Sequence, residues 1–68
     1  MVIIKWTNKF SNETGYVESI STKNKCFYST YDVSEAKQYS EKSVNTMMAK
    51  LEAYHETDDN YFEVIPVE

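Results

Sequence analysis

The stretch 40–51, SEKSVNTMMAKL, decides the fold class because it carries the clearest helical period in the chain. Ser40 is placed to cap the helix N-terminus, and Glu41 puts a negative charge in the first turn, where the helix dipole favours it. We therefore predict an amphipathic helix that begins after Ser40 and ends near residues 54–56. Apolar residues recur at the spacing of one helical face: Val44, Met47, Met48, Leu51 and either Tyr54 or His55.

Segments rich in β-branched and aromatic residues flank the helix, three before it and one after it. They are residues 2–7, 16–21, 26–31 and 61–67. The polar connections 10–15 and 22–25 are short, which predicts that the first three strands form an antiparallel meander. We predict a positive φ at Gly15 in the first turn and at Asn24 in the second.

The order β-β-β-α-β predicts a single α+β domain over residues 1–68, with a three-stranded antiparallel meander, one main helix and a fourth strand. Before the helix, Asp32 and Glu35 fit a capping box and predict a helical turn through Tyr39. If the helix returns the chain, the fourth strand runs parallel to the first, and a right-handed crossover places it beside that strand. The expected sheet has the order 3-2-1-4, one helix on one face, Pro66 on an edge strand or at a strand end, and a second face open to solvent or a partner.

Composition excludes several kinds of chemistry. All seven basic residues are lysine, which removes arginine fingers and the bidentate recognition of guanine. A single cysteine rules out an internal disulfide, and a single glycine rules out a Gly-rich phosphate loop. Residues 1–34 hold four lysines against three acids, whereas residues 35–68 hold three lysines against eight acids. The acidic C-terminal half repels a phosphate backbone and favours either basic partners or simple solubility.

Candidate catalytic and metal-binding residues are few. His55, the one histidine, lies beside Glu52 and Glu56, but structural zinc sites collect several Cys and His ligands. Cys26 falls in a strand pattern, where a cysteine usually acts as a buried small hydrophobe. We therefore predict no enzymatic activity, no cofactor and no metal. The opening residues lack a basic region followed by a long apolar run, and no stretch approaches membrane-spanning length, so we expect a soluble, cytoplasmic protein that does not bind membranes.

Protein binding is the function class that remains, and surplus aromatic residues are its positive sign. Six tyrosines, three phenylalanines and a tryptophan exceed what one helix covers, and tyrosine is enriched at protein interfaces. Aromatic contacts to a partner are predicted at Trp6, Tyr16, Tyr28 and Tyr31. Acidic contacts, facing lysine-rich or arginine-rich grooves of the partner, are predicted at Glu52, Glu56, Asp58, Asp59 and Glu63.

Two alternatives stay open. A single-stranded nucleic-acid-binding module would stack bases on aromatic strands with lysines at their edges, although a net charge of −4 without arginine opposes it. The residues that would form it are Trp6, Phe10, Tyr16, Phe27, Tyr28 and Tyr31 with Lys5, Lys9, Lys23 and Lys25. The other alternative is a small homodimeric structural or regulatory protein, in which the exposed edge of the third strand pairs with another chain.

Four segments together carry a resemblance to a known class of proteins. They are IIKW at residues 3–6, TGY at residues 14–16, YDVSEAKQYS at residues 31–40 and YFEVIPV at residues 61–67. In this layout the chain resembles small accessory proteins of phages and prophages of low-GC Gram-positive bacteria. The resemblance implies a protein that acts in the host cytoplasm, binding and redirecting a host protein. Some members of that class inhibit bacterial immune nucleases, as anti-CRISPR proteins do. The resemblance includes no catalytic motif and transfers no site residue.

Overall fold

The chain folds into one four-stranded antiparallel sheet with a single α-helix. A computed structural model describes residues 1–54 and 59–67. The elements are β1 (Val2–Asn8), β2 (Thr14–Ser21), β3 (Cys26–Thr30), a 3-10 turn (Val33–Glu35), α1 (Glu41–Ala53) and β4 (Asn60–Pro66). The sheet order is β3-β2-β1-β4, which confirms the predicted α+β class, the predicted strand order and the edge position of Pro66.

β4 runs antiparallel to β1, so the predicted parallel arrangement is wrong. Val2 pairs with Pro66 at one end of β1, and Asn8 pairs with Asn60 at the other. The reason is that the segment between β3 and the helix already brings the chain back to the start of β1. There Tyr39 and Val2 exchange two backbone hydrogen bonds of 2.7 and 2.8 Å. The helix therefore starts beside the beginning of β1, and β4 starts beside its end. The handedness rule for parallel crossovers does not apply to this connection.

The core lies between the helix and one face of the sheet, which we call the core face. Side chains alternate along a strand, so Val2, Ile4 and Trp6 project to this face together. The helical face meets them as predicted, with Val44 and Leu51 buried and the two methionines half-buried. Ser40 caps α1 as predicted, because its hydroxyl accepts a hydrogen bond from the Ser43 amide. The buried cluster contains Val2, Ile4, Trp6, Val17, Tyr39, Val44 and Leu51.

A β-bulge in β2 changes which side chains reach the core. Val17 pairs with Ser29, but Ser19 pairs with Tyr28, so one extra residue, Glu18, is inserted in β2. Because side chains alternate, this insertion turns Ile20 to the same face as Val17, where it packs against the buried cluster. Without the bulge, Ile20 would point to the opposite face.

The sheet curls around its core. The rings of Phe27 on β3 and Phe62 on β4 meet edge to face, with their centroids 5.3 Å apart. β3 and β4 are the two outer strands, which in a flat four-stranded sheet would lie about 14 Å apart. Contact between their side chains therefore requires the two edges to bend toward each other over the core face.

Both predicted left-handed turn residues are wrong. Gly15 lies inside β2 and has no positive φ, and the left-handed residues are Asn12, with φ 61°, and Lys25, with φ 54°. Gly15 is required for another reason. A Cβ at this position would lie 2.5 Å from Cζ2 of Trp6, so the glycine makes room for the indole ring. In the second turn, the left-handed conformation predicted for Asn24 is adopted by the next residue, Lys25.

The segment before the helix is capped as predicted but is shorter. Asp32 is the N-cap of the 3-10 turn, and its carboxylate accepts a hydrogen bond of 2.9 Å from the Ser34 amide. Glu35 does not close the predicted capping box, because its carboxylate accepts a hydrogen bond from the Thr30 hydroxyl instead. The turn ends at Glu35 rather than at Tyr39, which is held in the bridge to Val2.

Candidate binding surface

The four aromatic residues predicted to contact a partner separate into three environments. Trp6 is only 7% exposed and belongs to the core, so it does not form part of an accessible surface. Tyr16 on β2 is half-buried. Tyr28 is 50% exposed and Tyr31 is 67% exposed. Only these last two offer most of a ring to a partner.

Of the predicted acidic residues, the structure describes three, each on a different part of the fold. Glu52 is exposed on α1, Asp59 is exposed just before β4, and Glu63 is exposed on β4. Glu63 lies directly opposite Lys5 in the sheet, so a basic neighbour offsets its charge. Glu56 and Asp58 lie outside the described residues.

The loop 9–13 between β1 and β2 is held in one conformation by Asn8. The side-chain carbonyl of Asn8 accepts hydrogen bonds from the amides of Phe10 and Ser11, at 2.9 and 3.0 Å. The backbone of Asn8 also donates to the Glu13 carbonyl and accepts from the Asn12 amide. Asn12 adopts the left-handed conformation that asparagine tolerates. This ordered loop carries Phe10, which is 80% exposed.

Two further exposed rings are fixed to the same loop. The Tyr31 hydroxyl donates a hydrogen bond to the Glu13 carboxylate. The ammonium group of Lys9 lies 4.9 Å from the centre of the Tyr61 ring, a cation–π arrangement, and Tyr61 is 63% exposed. The Lys9 amide also donates to the Asp59 carbonyl, which ties the loop to the start of β4. We call Phe10 on this loop, and Tyr31 and Tyr61 in contact with it, the aromatic rim. Tyr31 also packs against Trp6 on the core side of the sheet, whereas Tyr61 lies on the opposite face.

The electrostatics of the rim follow from these contacts. The Glu13 carboxylate accepts the Tyr31 proton in a hydrogen bond, and its negative charge disfavours the phenolate, so the pKa of Tyr31 is raised above its usual value. Tyr31 therefore stays a neutral hydrogen-bonding ring at physiological pH. Lys9 and Glu13 place one charge of each sign on the loop, so the rim combines apolar rings with a balanced polar border.

The sheet face opposite the core carries a second group of aromatic residues. Directly paired residues share a face, and the pairing places Lys5, Tyr16 and Thr30 side by side across three strands. Tyr28 and Tyr61 lie on the same face by alternation along β3 and β4. Part of this face is covered, because Ile3 is only 2% exposed and Thr30 only 8% exposed. We call it the open face.

The structure describes only some of the candidate catalytic and metal-binding residues. Residues 1–54 and 59–67 contain no group of three or more His, Cys, Asp or Glu side chains that could hold a metal ion. Cys26 is a free, half-buried thiol on β3, and His55 lies outside the described residues. Within the part of the chain that the structure describes, no helix is long and apolar enough to cross a membrane.

Comparison with known proteins leaves the surface as the main guide to function, since no protein family, no curated protein and no solved structure matches the chain. Phe10 and Tyr61, which were not among the residues predicted to contact a protein partner, are also mostly exposed. The position of Phe10 beside the polar run SNET was a usable signal, because an aromatic residue in a polar turn has little core to enter. Tyr61 gave no such signal, since its exposure depends on the face to which the first residues of β4 turn.

Proposed function

We propose that this chain is a small non-enzymatic binding protein that contacts a protein partner through the aromatic rim. The observation that carries the proposal is Phe10, which is 80% exposed on a loop held by four hydrogen bonds to Asn8. An aromatic ring on an ordered loop loses little conformational freedom on binding and buries a large apolar area. Protein interfaces are enriched in such residues at their centres.

The partner that we propose is a host protein of a bacterial defence or nucleic-acid-handling complex, which the chain would inhibit in the manner of an anti-CRISPR protein. Two observations support this choice. One is the sequence resemblance to accessory proteins of phages and prophages. The other is the acidic C-terminal half, which suits the basic groove of a protein that itself binds nucleic acid. Asp59 supplies such a charge next to the rim, through its backbone contact with Lys9.

The experiment begins with capture of the partner from host lysate and then measures its affinity for purified variants. Phe10→Ala should weaken binding by about 2 kcal/mol, or about 30-fold, as loss of a central aromatic contact does. Val33→Ala is the matched control, because Val33 is 56% exposed but lies outside the rim. Equal affinities of the two variants would contradict the proposal. Both substitutions are at exposed positions, so circular dichroism should show that the fold is unchanged.

The charge component has its own test. Asp59→Lys should weaken binding and reduce its dependence on salt if the partner groove is basic. An unchanged salt dependence would remove the basic groove from the proposal and leave the aromatic contact. Inhibition of the captured complex, measured with its own activity assay, decides whether binding has the inhibitory consequence that we propose.

A single-stranded nucleic-acid module is the second candidate, and the open face supports it. Tyr16 lies directly beside Lys5, and Tyr61 lies beneath Lys9, so two rings have a lysine neighbour. Glu63, paired with Lys5, works against a phosphate backbone. Fluorescence anisotropy of a labelled single strand tests this candidate, since lysine-driven binding is strongest at low ionic strength. Absence of binding at about 50 mM salt removes it.

A further inference from the structure

The two edges of the sheet differ in how they are protected against pairing with another chain. Exposed edge strands usually carry charges, prolines or other features that prevent such pairing. β4 has Glu63 near its middle and ends at Pro66. β3, with the sequence CFYST, has neither a charge nor a proline. Among the described residues, nothing hydrogen-bonds to the backbone on the outer side of β3, and Tyr28 at its centre is 50% exposed.

The charges at the two ends of β3 are opposite. The turn that leads into the strand carries Lys23 and Lys25, and the segment that follows it carries Asp32 and Glu35. An antiparallel partner with the same sequence would bring the lysine end of one strand beside the acidic end of the other. A parallel partner would place like charges together. The strand is therefore self-complementary in the antiparallel direction only.

We propose that a second copy of this chain pairs with the outer edge of β3, antiparallel and about a two-fold axis at Tyr28. The two sheets would then form one continuous sheet of eight strands. In this register the two Tyr28 rings lie next to each other on the open face, and the turn that carries Lys23 and Lys25 in one chain lies beside the segment after β3 in the other, which carries Asp32. The five-residue strand makes a small interface, so the association should be weak and reversible. Phe10 and Tyr61 take no part in it.

Site-directed cross-linking tests the register. With Cys26 replaced by serine, Tyr28→Cys leaves one thiol in the chain, placed on the proposed axis. Directly opposed residues of an antiparallel pair have Cα atoms about 4.5–5.5 Å apart, which is within the range of a disulfide. Tyr61→Cys in the same background is the matched control, because Tyr61 is also exposed and lies on the other edge strand.

The Tyr28→Cys variant should form a disulfide-linked dimer faster than the control by the ratio of the effective concentration of the paired thiols, which is in the millimolar range, to the dissociation constant of the dimer; this is about 10-fold for a dissociation constant of about 0.1 mM. Equal rates would overturn the proposal. Sedimentation equilibrium of the unmodified chain should show a monomer–dimer equilibrium that the double substitution Lys23→Glu with Lys25→Glu shifts toward monomer. A chain that stays monomeric up to millimolar concentration, or a dimer that the double substitution leaves unchanged, would also overturn it. Tyr28, Lys23 and Lys25 lie outside the aromatic rim, so failure of the proposed dimer leaves the proposed partner binding untouched.

Discussion

Replacement of Gly15 by alanine should destabilise the fold, although the opposite would be expected from its backbone conformation. Gly15 has no positive φ and lies within β2. At such a position the change to alanine usually stabilises a protein by about 0.4–1 kcal/mol, because the unfolded chain loses freedom. Here the added Cβ would lie 2.5 Å from Cζ2, 2.6 Å from Cε2 and 2.8 Å from Nε1 of Trp6. The ring would have to move by roughly 1 Å to restore ordinary contact.

Trp6 has little room for such a movement, because it is 7% exposed and packed in the core with Tyr31 at a ring distance of 6.0 Å. Overpacking of this kind costs about 1–3 kcal/mol, which exceeds the gain in the unfolded state. We expect a net loss of about 1 kcal/mol, the overpacking cost less the gain in the unfolded state, and a fall in melting temperature of about 4–8 °C. Urea denaturation followed by circular dichroism measures the first quantity, and thermal denaturation measures the second.

A double-mutant cycle with Trp6→Phe separates this contact from other effects. Phenylalanine lacks the indole atoms that the new Cβ would meet, so the cost of Gly15→Ala should fall close to zero in that background. If Gly15→Ala were neutral or stabilising in the unmodified chain, or equally costly in both backgrounds, the packing argument would be refuted. Trp6 is the single tryptophan, so its fluorescence also reports directly on displacement of the ring.

Three further predictions concern the helix, a cap and the core. Ser40→Ala removes the hydroxyl that accepts the Ser43 amide and should cost about 1 kcal/mol in urea denaturation, whereas Ser40→Asp should keep most of the stability. Hydrogen bonds from the Ser34 hydroxyl and amide hold the pKa of Asp32 below its usual value. The stabilisation of the fold by the ionised carboxylate is therefore present above about pH 4 and is lost as the pH falls through the lowered pKa. Asp32→Asn should flatten the acid limb of a curve of unfolding free energy against pH. Leu51 is fully buried, so Leu51→Ala should cost about 2–5 kcal/mol and leave the domain largely unfolded at 37 °C by circular dichroism.

Much of the fold could be predicted because it depends on local periodicity. The apolar spacing of residues 44–51 identified the helix and its buried face, and Ser40 identified its start. The runs of β-branched and aromatic residues identified the four strands, although not that Trp6 enters the core. These patterns repeat within a few residues and depend only on the geometry of a helix or a strand.

The errors came from contacts between distant parts of the chain. The orientation of β4 depends on the bridge between Tyr39 and Val2, which no local sequence pattern predicts. The role of Gly15 depends on the ring of Trp6 across the strand pair. The side to which Ile20 points, for which the sequence offered no prediction, depends on a bulge that a two-residue alternation cannot reveal.

The exposed aromatic residues of the candidate binding surface could likewise be predicted only in part. The composition indicated that some aromatic rings would remain uncovered, since ten rings exceed the needs of a core beneath one helix. Which rings these are could not be read from residue type. Trp6 and Tyr31 were predicted to act together, yet the first is in the core and the second is exposed beside it. Exposure is a property of the finished packing, so it requires the positions of all neighbouring elements.

The sequence by itself determined the class of this protein: one α+β domain, one amphipathic helix, and a chemistry without arginine, a disulfide or a phosphate loop. These features follow from residue type and short-range spacing. The tertiary structure alone decided the antiparallel placement of β4, the curl that brings Phe27 to Phe62, and the contacts of Tyr31 and Tyr61 with the loop 9–13. Each of these features depends on side chains or backbone groups that lie far apart in the sequence. Such groups come into contact only when the sheet and the helix pack together around the core.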